Sequence, residues 1–152
     1  MHEISQIVAV DDSPIILRMI ERMMGDFYEL HLFSSGARAL QYLKDKDRTP
    51  DLIILDIEMP EMDGYDVLEQ INKVEHLKNV PVIFLTSNNN RDHVLKAVAD
   101  GAKDYVIKPV EEVVLLNKIH TLLGDKPVPE KKPVEEKSAE IEEKEEKEEK
   151  EQ

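Results

Sequence analysis

The chain has 152 residues, a net charge of −13, 41% hydrophobic residues, 5% aromatics and no cysteine. That length fits one domain plus an appendage, with an aliphatic core. The charge argues against nucleic acid, whose phosphates need Lys and Arg, and against an anionic membrane surface; the missing cysteines exclude disulfides, thiolate metal sites and cysteine nucleophiles.

The N-terminal "MHEISQIVAVDDS" lacks the basic start and long apolar segment of a signal peptide. No apolar run approaches the length of a membrane span, so a soluble cytoplasmic protein is expected, without membrane insertion. "IVAV" (Ile7 to Val10) is the first short β-branched run and reads as a buried strand. "SPIILRMIERMM" follows as a helix, with Ser13 as N-cap, Pro14 at the first helical position, and Ile16, Ile20 and Met23 on the buried face. "YELHLF" (Tyr28 to Phe33) is the second strand, and "SSGARALQYLKD" a helix with Ala37, Leu40 and Leu43 on one side. "LIIL" (Leu52 to Leu55) is the third strand, and "GYDVLEQINKVE" buries Val67, Leu68 and Ile71. "VIFL" (Val82 to Leu85) precedes a helix that stops at Gly101, a left-handed C-terminal glycine. "YVI" (Tyr105 to Ile107) leads into "VEEVVLLNKIHTLLG", which ends the same way at Gly124.

Five strands alternating with five helices imply right-handed crossovers and a parallel sheet covered on both faces. Residues 1–124 form this domain. Beyond it come prolines 127, 129 and 133, an extended linker, and then a Glu/Lys-rich tail. Residues 125–152 hold twelve acids against seven lysines, so the tail is expected to be disordered. Glu140, Glu143 and Glu146 each precede a lysine by four residues, which favours partial helix.

The strand ends carry the chemistry. "IVAV" is followed by Asp11 and Asp12, "LIIL" by Asp56, "VIFL" by Thr86 and Ser87, and "YVI" by Lys108 and Pro109. In an open α/β sheet, ligands sit beyond the carboxyl ends of the strands, where the strand order reverses. Each residue alone has an ordinary explanation: Asp12 as a helix cap, Thr86 as a surface hydroxyl, Lys108 as a snorkelling side chain, Asp56 as a turn residue. Together they place three like charges at one edge, which raises carboxyl pKa values unless a cation compensates. Oxygen-only ligands with room for water suit Mg²⁺. An aspartate is already ionised at neutral pH and needs no base to act as a nucleophile. Phosphorylation of Asp56 fits this set.

With the acid pair "DD", "LDIEMPEMDG", "LTS" and "GAKDYVIKP" in this order and spacing, Ile4 to about Leu123 resembles the receiver domain of two-component response regulators. The resemblance implies a doubly wound, flavodoxin-like (CheY-like) fold with strand order 2-1-3-4-5, and makes Asp56 the phosphoacceptor. It further implies Mg²⁺ held by Asp12 directly, by Asp11 largely through water, by Asp56 and by the backbone carbonyl of Glu58. Thr86 and Lys108 would bind phosphoryl oxygens, Tyr105 would be the aromatic switch, and the Lys108–Pro109 bond would be cis, leaving Pro109 as the cis-proline. Pro60 and Gly64 would shape the loop after the phosphorylation strand. Partners would be a histidine kinase or a histidine phosphotransfer protein, and a downstream target on the fourth helix, fifth strand and fifth helix. The protein would catalyse only its own phosphorylation and dephosphorylation.

The fifth helix is unusually apolar, a surplus that fits partner binding or a homodimer. Glu58 departs from the usual pattern, since many relatives carry a neutral or basic residue there. It could pair with Lys108, reach the metal or repel phosphate, and so alter the rates. Asn88 could orient a water. No output domain is expected in 28 polar residues after Gly124, so signalling would proceed by protein binding, as a chemotaxis-type regulator, a relay or a phosphate sink. Three rivals remain. A flavodoxin-like FMN carrier is opposed by "DDSP", which would repel the phosphate. A dehalogenase-type phosphatase needs a D-x-D motif, and "DIE" offers only Glu58. A scaffolding pseudo-receiver is opposed by the full set of acids, Thr86 and Lys108.

Overall fold

The computed structural model describes residues 4–87 and 91–124, with backbone only for 91–94. Asn88 and the tail from residue 125 lie outside the described residues. Ten elements alternate: β1 (Gln6–Val10), α1 (Pro14–Met24), β2 (Glu29–Phe33), α2 (Gly36–Leu43), β3 (Leu52–Asp56), α3 (Gly64–Asn72), β4 (Val82–Thr86), α4 (Arg91–Ala99), β5 (Asp104–Ile107) and α5 (Glu112–Leu122). The strands form one sheet of order β2-β1-β3-β4-β5, and every pairing is parallel. This is the expected doubly wound topology.

Alternate residues of each strand supply the two cores, because successive side chains point to opposite faces. Val8, Val10, Ile53, Leu55 and Phe84 pack with residues of α2, α3 and α4. Ile7, Ala9, Leu52, Ile54, Ile83 and Leu85 pack with residues of α1 and α5. β3 and β4 are buried along their whole length, whereas the edge strand β2 is exposed at Glu29 and only half-buried beyond it.

Local sequence accounts for the helix starts. Pro14 opens α1, and the Ser13 hydroxyl accepts from the Ile16 N–H at 3.4 Å. The Asp63 side chain accepts from the Asp66 N–H while Asp66 reaches back to the Asp63 N–H, a reciprocal cap that fixes the start of α3. Gly101 and Gly124 have φ of 108° and 76°, the left-handed geometry expected of both.

Two helix faces differ from expectation. In α1 the fully buried pair is Ile20 and Met24, with Ile16 and Met23 only partly covered. In α2 Ala37 is exposed, and the buried set is Gly36, Ala39, Leu40 and Leu43. The helix begins at Gly36, so the buried stripe runs 36, 39, 40, 43 and Ala37 falls out of phase by one residue. Gly36 itself sits against α3, where a Cβ would lie 2.4 Å from Val67 Cγ2.

Candidate functional site

The parallel register carries the strand-end residues to one place. Val10 lies opposite Leu55, so the next residues, Asp11 and Asp56, are neighbours; Asp56 in turn lies opposite Leu85, and Thr86 opposite Ile107. The strand after Asp104 ends against this site as well, since the Lys108 N–H donates to the Thr86 carbonyl at 2.7 Å. Carboxylate oxygens of Asp11, Asp12 and Asp56 all lie within 4.8 Å of one another. Asp11, Asp56 and Thr86 are buried, at 0%, 1% and 1% exposure, while Asp12 is open to water.

Lys108 is the cation of the cluster. Its Nζ donates to Asp56 Oδ1 at 3.1 Å and lies 3.1 Å from Asp11 Oδ2. Backbone groups hold the two acids in place. The Ser13 N–H donates to Asp11 Oδ1 at 2.9 Å, and the Glu58 N–H donates to Asp56 Oδ1 at 3.2 Å. One ammonium does not balance the acids. Burial first, and the neighbouring Asp11 charge second, push the Asp56 carboxyl up to about 7, against the pull of Lys108 and the Glu58 amide, so the full ionisation at neutral pH expected of an aspartate does not hold for Asp56 in this site without a further cation. Burial lowers the Lys108 pKa, but the hydrogen bonds and charges of Asp11 and Asp56 outweigh it and raise the group overall.

Two oxygens test whether a cation fits. Asp56 Oδ2 is buried without a hydrogen-bond partner among the described residues, and Asp11 Oδ2, equally buried, has only the Lys108 ammonium at 3.1 Å, which Asp56 Oδ1 shares. A buried carboxylate oxygen left unpaired is costly. A small divalent cation removes that cost, and an exposed Asp12 beside two buried acids leaves the open side that a hydrated Mg²⁺ requires. The donor set fits.

The loop after β3 is shaped by close approach. At Gly64 a Cβ would stand 2.5 Å from the Asp56 carbonyl oxygen and 2.7 Å from Ile57 Cα, both backbone atoms that cannot move aside. The Gly64 N–H donates to the Ile57 carbonyl at 2.8 Å, closing the loop. Within it, the Met62 N–H donates to the Pro60 carbonyl at 2.7 Å, and Glu61 takes a positive φ of 67°, a tight γ-turn.

A family model described as response regulator receiver domain matches residues 7–120. The chain belongs to that family. A two-component response regulator of rice, Oryza sativa subsp. indica, is 37% identical over 105 residues, 68% of this chain and 79% of that protein. A Vibrio cholerae protein named a probable cyclic di-GMP phosphodiesterase is 39% identical over 128 residues, and this chain spans only 29% of its length. The chemotaxis protein CheY4 of V. cholerae superposes with a TM-score of 0.74 at 26% identity, covering 79% of this chain and 99% of that one. The receiver domain of the sensor histidine kinase PA1611 from Pseudomonas aeruginosa, described with a magnesium ion coordinated in the active-site cleft, has a TM-score of 0.73 at 27% identity, covering 81% of this chain and all of the other.

The remaining receiver-domain residues fall as follows. The Lys108–Pro109 bond is cis. Tyr105 is half-buried against the α2–α3–α4 core, and Lys118 of α5 lies 5.6 Å from its ring centroid while pairing with Asp104 at 2.9 Å. The Glu58 side chain makes no ion pair with Lys108; its Oε2 accepts from the Ser87 hydroxyl at 2.6 Å. Sequence reading placed Ser87 at a strand end without a role. The signal was its position directly after Thr86, which puts a second hydroxyl at the mouth of the site.

Proposed function

We propose that this receiver domain, residues 1–124, is a phosphorylation-dependent signalling switch whose phosphoacceptor is Asp56. The carrying observation is the Asp56 carboxylate itself: buried, bonded through one oxygen to Lys108 and the Glu58 amide, with the other oxygen unpaired. The donor is a phosphohistidine on a kinase or a phosphotransfer protein. An Asp56 oxygen bonds to phosphorus as the P–N bond breaks, and the departing imidazole takes up a proton. Asp11, Asp12, Asp56 and the Glu58 carbonyl would hold Mg²⁺, which would supply positive charge between the anionic donor and the acid.

The chain's own groups do the rest. Lys108, which bridges Asp11 and Asp56 at rest, pairs with a phosphoryl oxygen. The Thr86 hydroxyl binds a second one, the segment after β4 follows it, and Tyr105 repacks. The modification thereby favours one of two states of the α4–β5–α5 face. That face carries exposed Leu95, Val98, Ile107, Val113 and Val114, which fits docking of a downstream protein or a second copy of the chain. A cytoplasmic site of action fits a kinase partner; among the described residues no helix is long and apolar enough to cross a membrane.

Incubation with Mg²⁺ and phosphoramidate tests the reading. We expect an acid-stable, base-labile phosphoryl group that requires Mg²⁺. Label that forms equally well in EDTA, or that is stable in base, contradicts an aspartyl phosphate.

A further inference from the structure

The bond between Ser87 and Glu58 joins the two loops that border the phosphoacceptor. Glu58 stands two residues after Asp56, and Ser87 stands next to Thr86. The hydroxyl donates to Glu58 Oε2 at 2.6 Å, the short distance of a charge-assisted O–H···O⁻ bond. Both side chains are exposed, so neither is held there by core packing. Beneath them, Ile57 N–H donates to the Leu85 carbonyl at 3.0 Å, which keeps the strand ends in register while the side chains above remain free to part.

We infer that Ser87 and Glu58 form a latch that holds Ser87, and with it the neighbouring Thr86, in the resting position and so restrains phosphoryl capture at Asp56. This rests on the phosphoacceptor reading above. Thr86 must approach a phosphoryl group on Asp56, and Ser87, its chain neighbour, must move with it. The latch is made only in the resting arrangement, so it stabilises that state alone and lowers the population of the capture-competent one. Ser87 is a positioning residue, acting through Thr86 rather than on the phosphoryl group.

The sign of one substitution separates this from a simpler role for Glu58. If Glu58 acted only as a repelling charge, freeing it from Ser87 would leave capture unchanged or slow it. If the bond is a latch, Ser87→Ala speeds capture, by roughly fivefold for the loss of one net hydrogen bond. Rates of phosphoryl uptake from phosphoramidate with Mg²⁺ are compared in the full-length wild type, Ser87→Ala, Ser87→Thr, Glu58→Ala and the double alanine variant. We expect faster uptake in Ser87→Ala, near wild-type uptake in Ser87→Thr, which keeps the hydroxyl, and no effect of Ser87→Ala once Glu58 is already alanine. Uptake in Ser87→Ala equal to or slower than wild type overturns the latch, as does an acceleration of the same size in the Glu58→Ala background. A wild type that takes no label fails differently, removing the phosphoacceptor reading and the latch with it.

Discussion

At the scale of single residues, the site is strained by charge until something cationic arrives. Asp56 ionises at about 7 instead of the ordinary 3.8, first because it is buried and second because Asp11 is beside it. Between these two values the native state holds a proton that the unfolded chain has released. Stability from Asp56 is therefore fully present below 3.8 and lost as pH rises through about 7. In EDTA, Asp56→Asn should accordingly raise the stability at pH ~8 by roughly 1–3 kcal/mol, with the gain shrinking as pH falls toward ~4. Urea unfolding at several pH values checks this, and a gain independent of pH contradicts the charge account. Adding Mg²⁺ should narrow the gap, because the wild-type acids then gain a partner. The acids, Thr86 and Lys108 were legible in the sequence because each directly follows an apolar run, and strand ends of one parallel sheet converge. The partner of Glu58 was not legible: pairing with Lys108 and bonding to Ser87 are equally reachable on paper, and only the positions of two loops decide between them.

Elements hold the site by close fit, and here glycine matters more than charge. The start of α3 approaches the end of β3 so closely that Gly64 leaves no space for a methyl group against Asp56 and Ile57 backbone atoms. Gly64→Ala should cost about 1–3 kcal/mol by overpacking and slow phosphoryl uptake, because the displaced backbone atoms belong to Asp56 and Ile57. Wild-type stability and uptake in this variant would show that the loop yields freely. The start of α1 was readable from Ser13 and Pro14, since capping is local chemistry, whereas the Asp63–Asp66 cap of α3 emerged from the structure. The face of α3 was readable in full, with Val67, Leu68 and Ile71 buried, but those of α1 and α2 only to within one residue. Ala37 and Met23 were expected inside, and Ala39 and Met24 take those places because the phase of a short helix depends on its first residue and on what it packs against.

For the molecule as a whole, the parallel sheet followed from the alternation of apolar runs and helical spacing, since parallel strands need crossovers, whereas the strand order followed from the receiver-domain resemblance. What the alternation does not encode is which exposed apolar residues are used. Leu95, Val98 and Val113 are exposed at 55%, 54% and 68%, so serine at these positions should leave stability within about 0.5 kcal/mol of wild type. The same changes should weaken binding of a downstream protein or self-association of the phosphorylated chain, read by sedimentation; undiminished association would move the output surface elsewhere. After incubation with Mg²⁺ and phosphoramidate, borohydride reduction followed by peptide mass spectrometry converts an aspartyl phosphate to homoserine and locates it. Homoserine at position 56, absent from Asp56→Asn and from samples in EDTA, is the predicted result. Homoserine at another aspartate, or phosphoryl uptake that persists in Asp56→Asn, would contradict it.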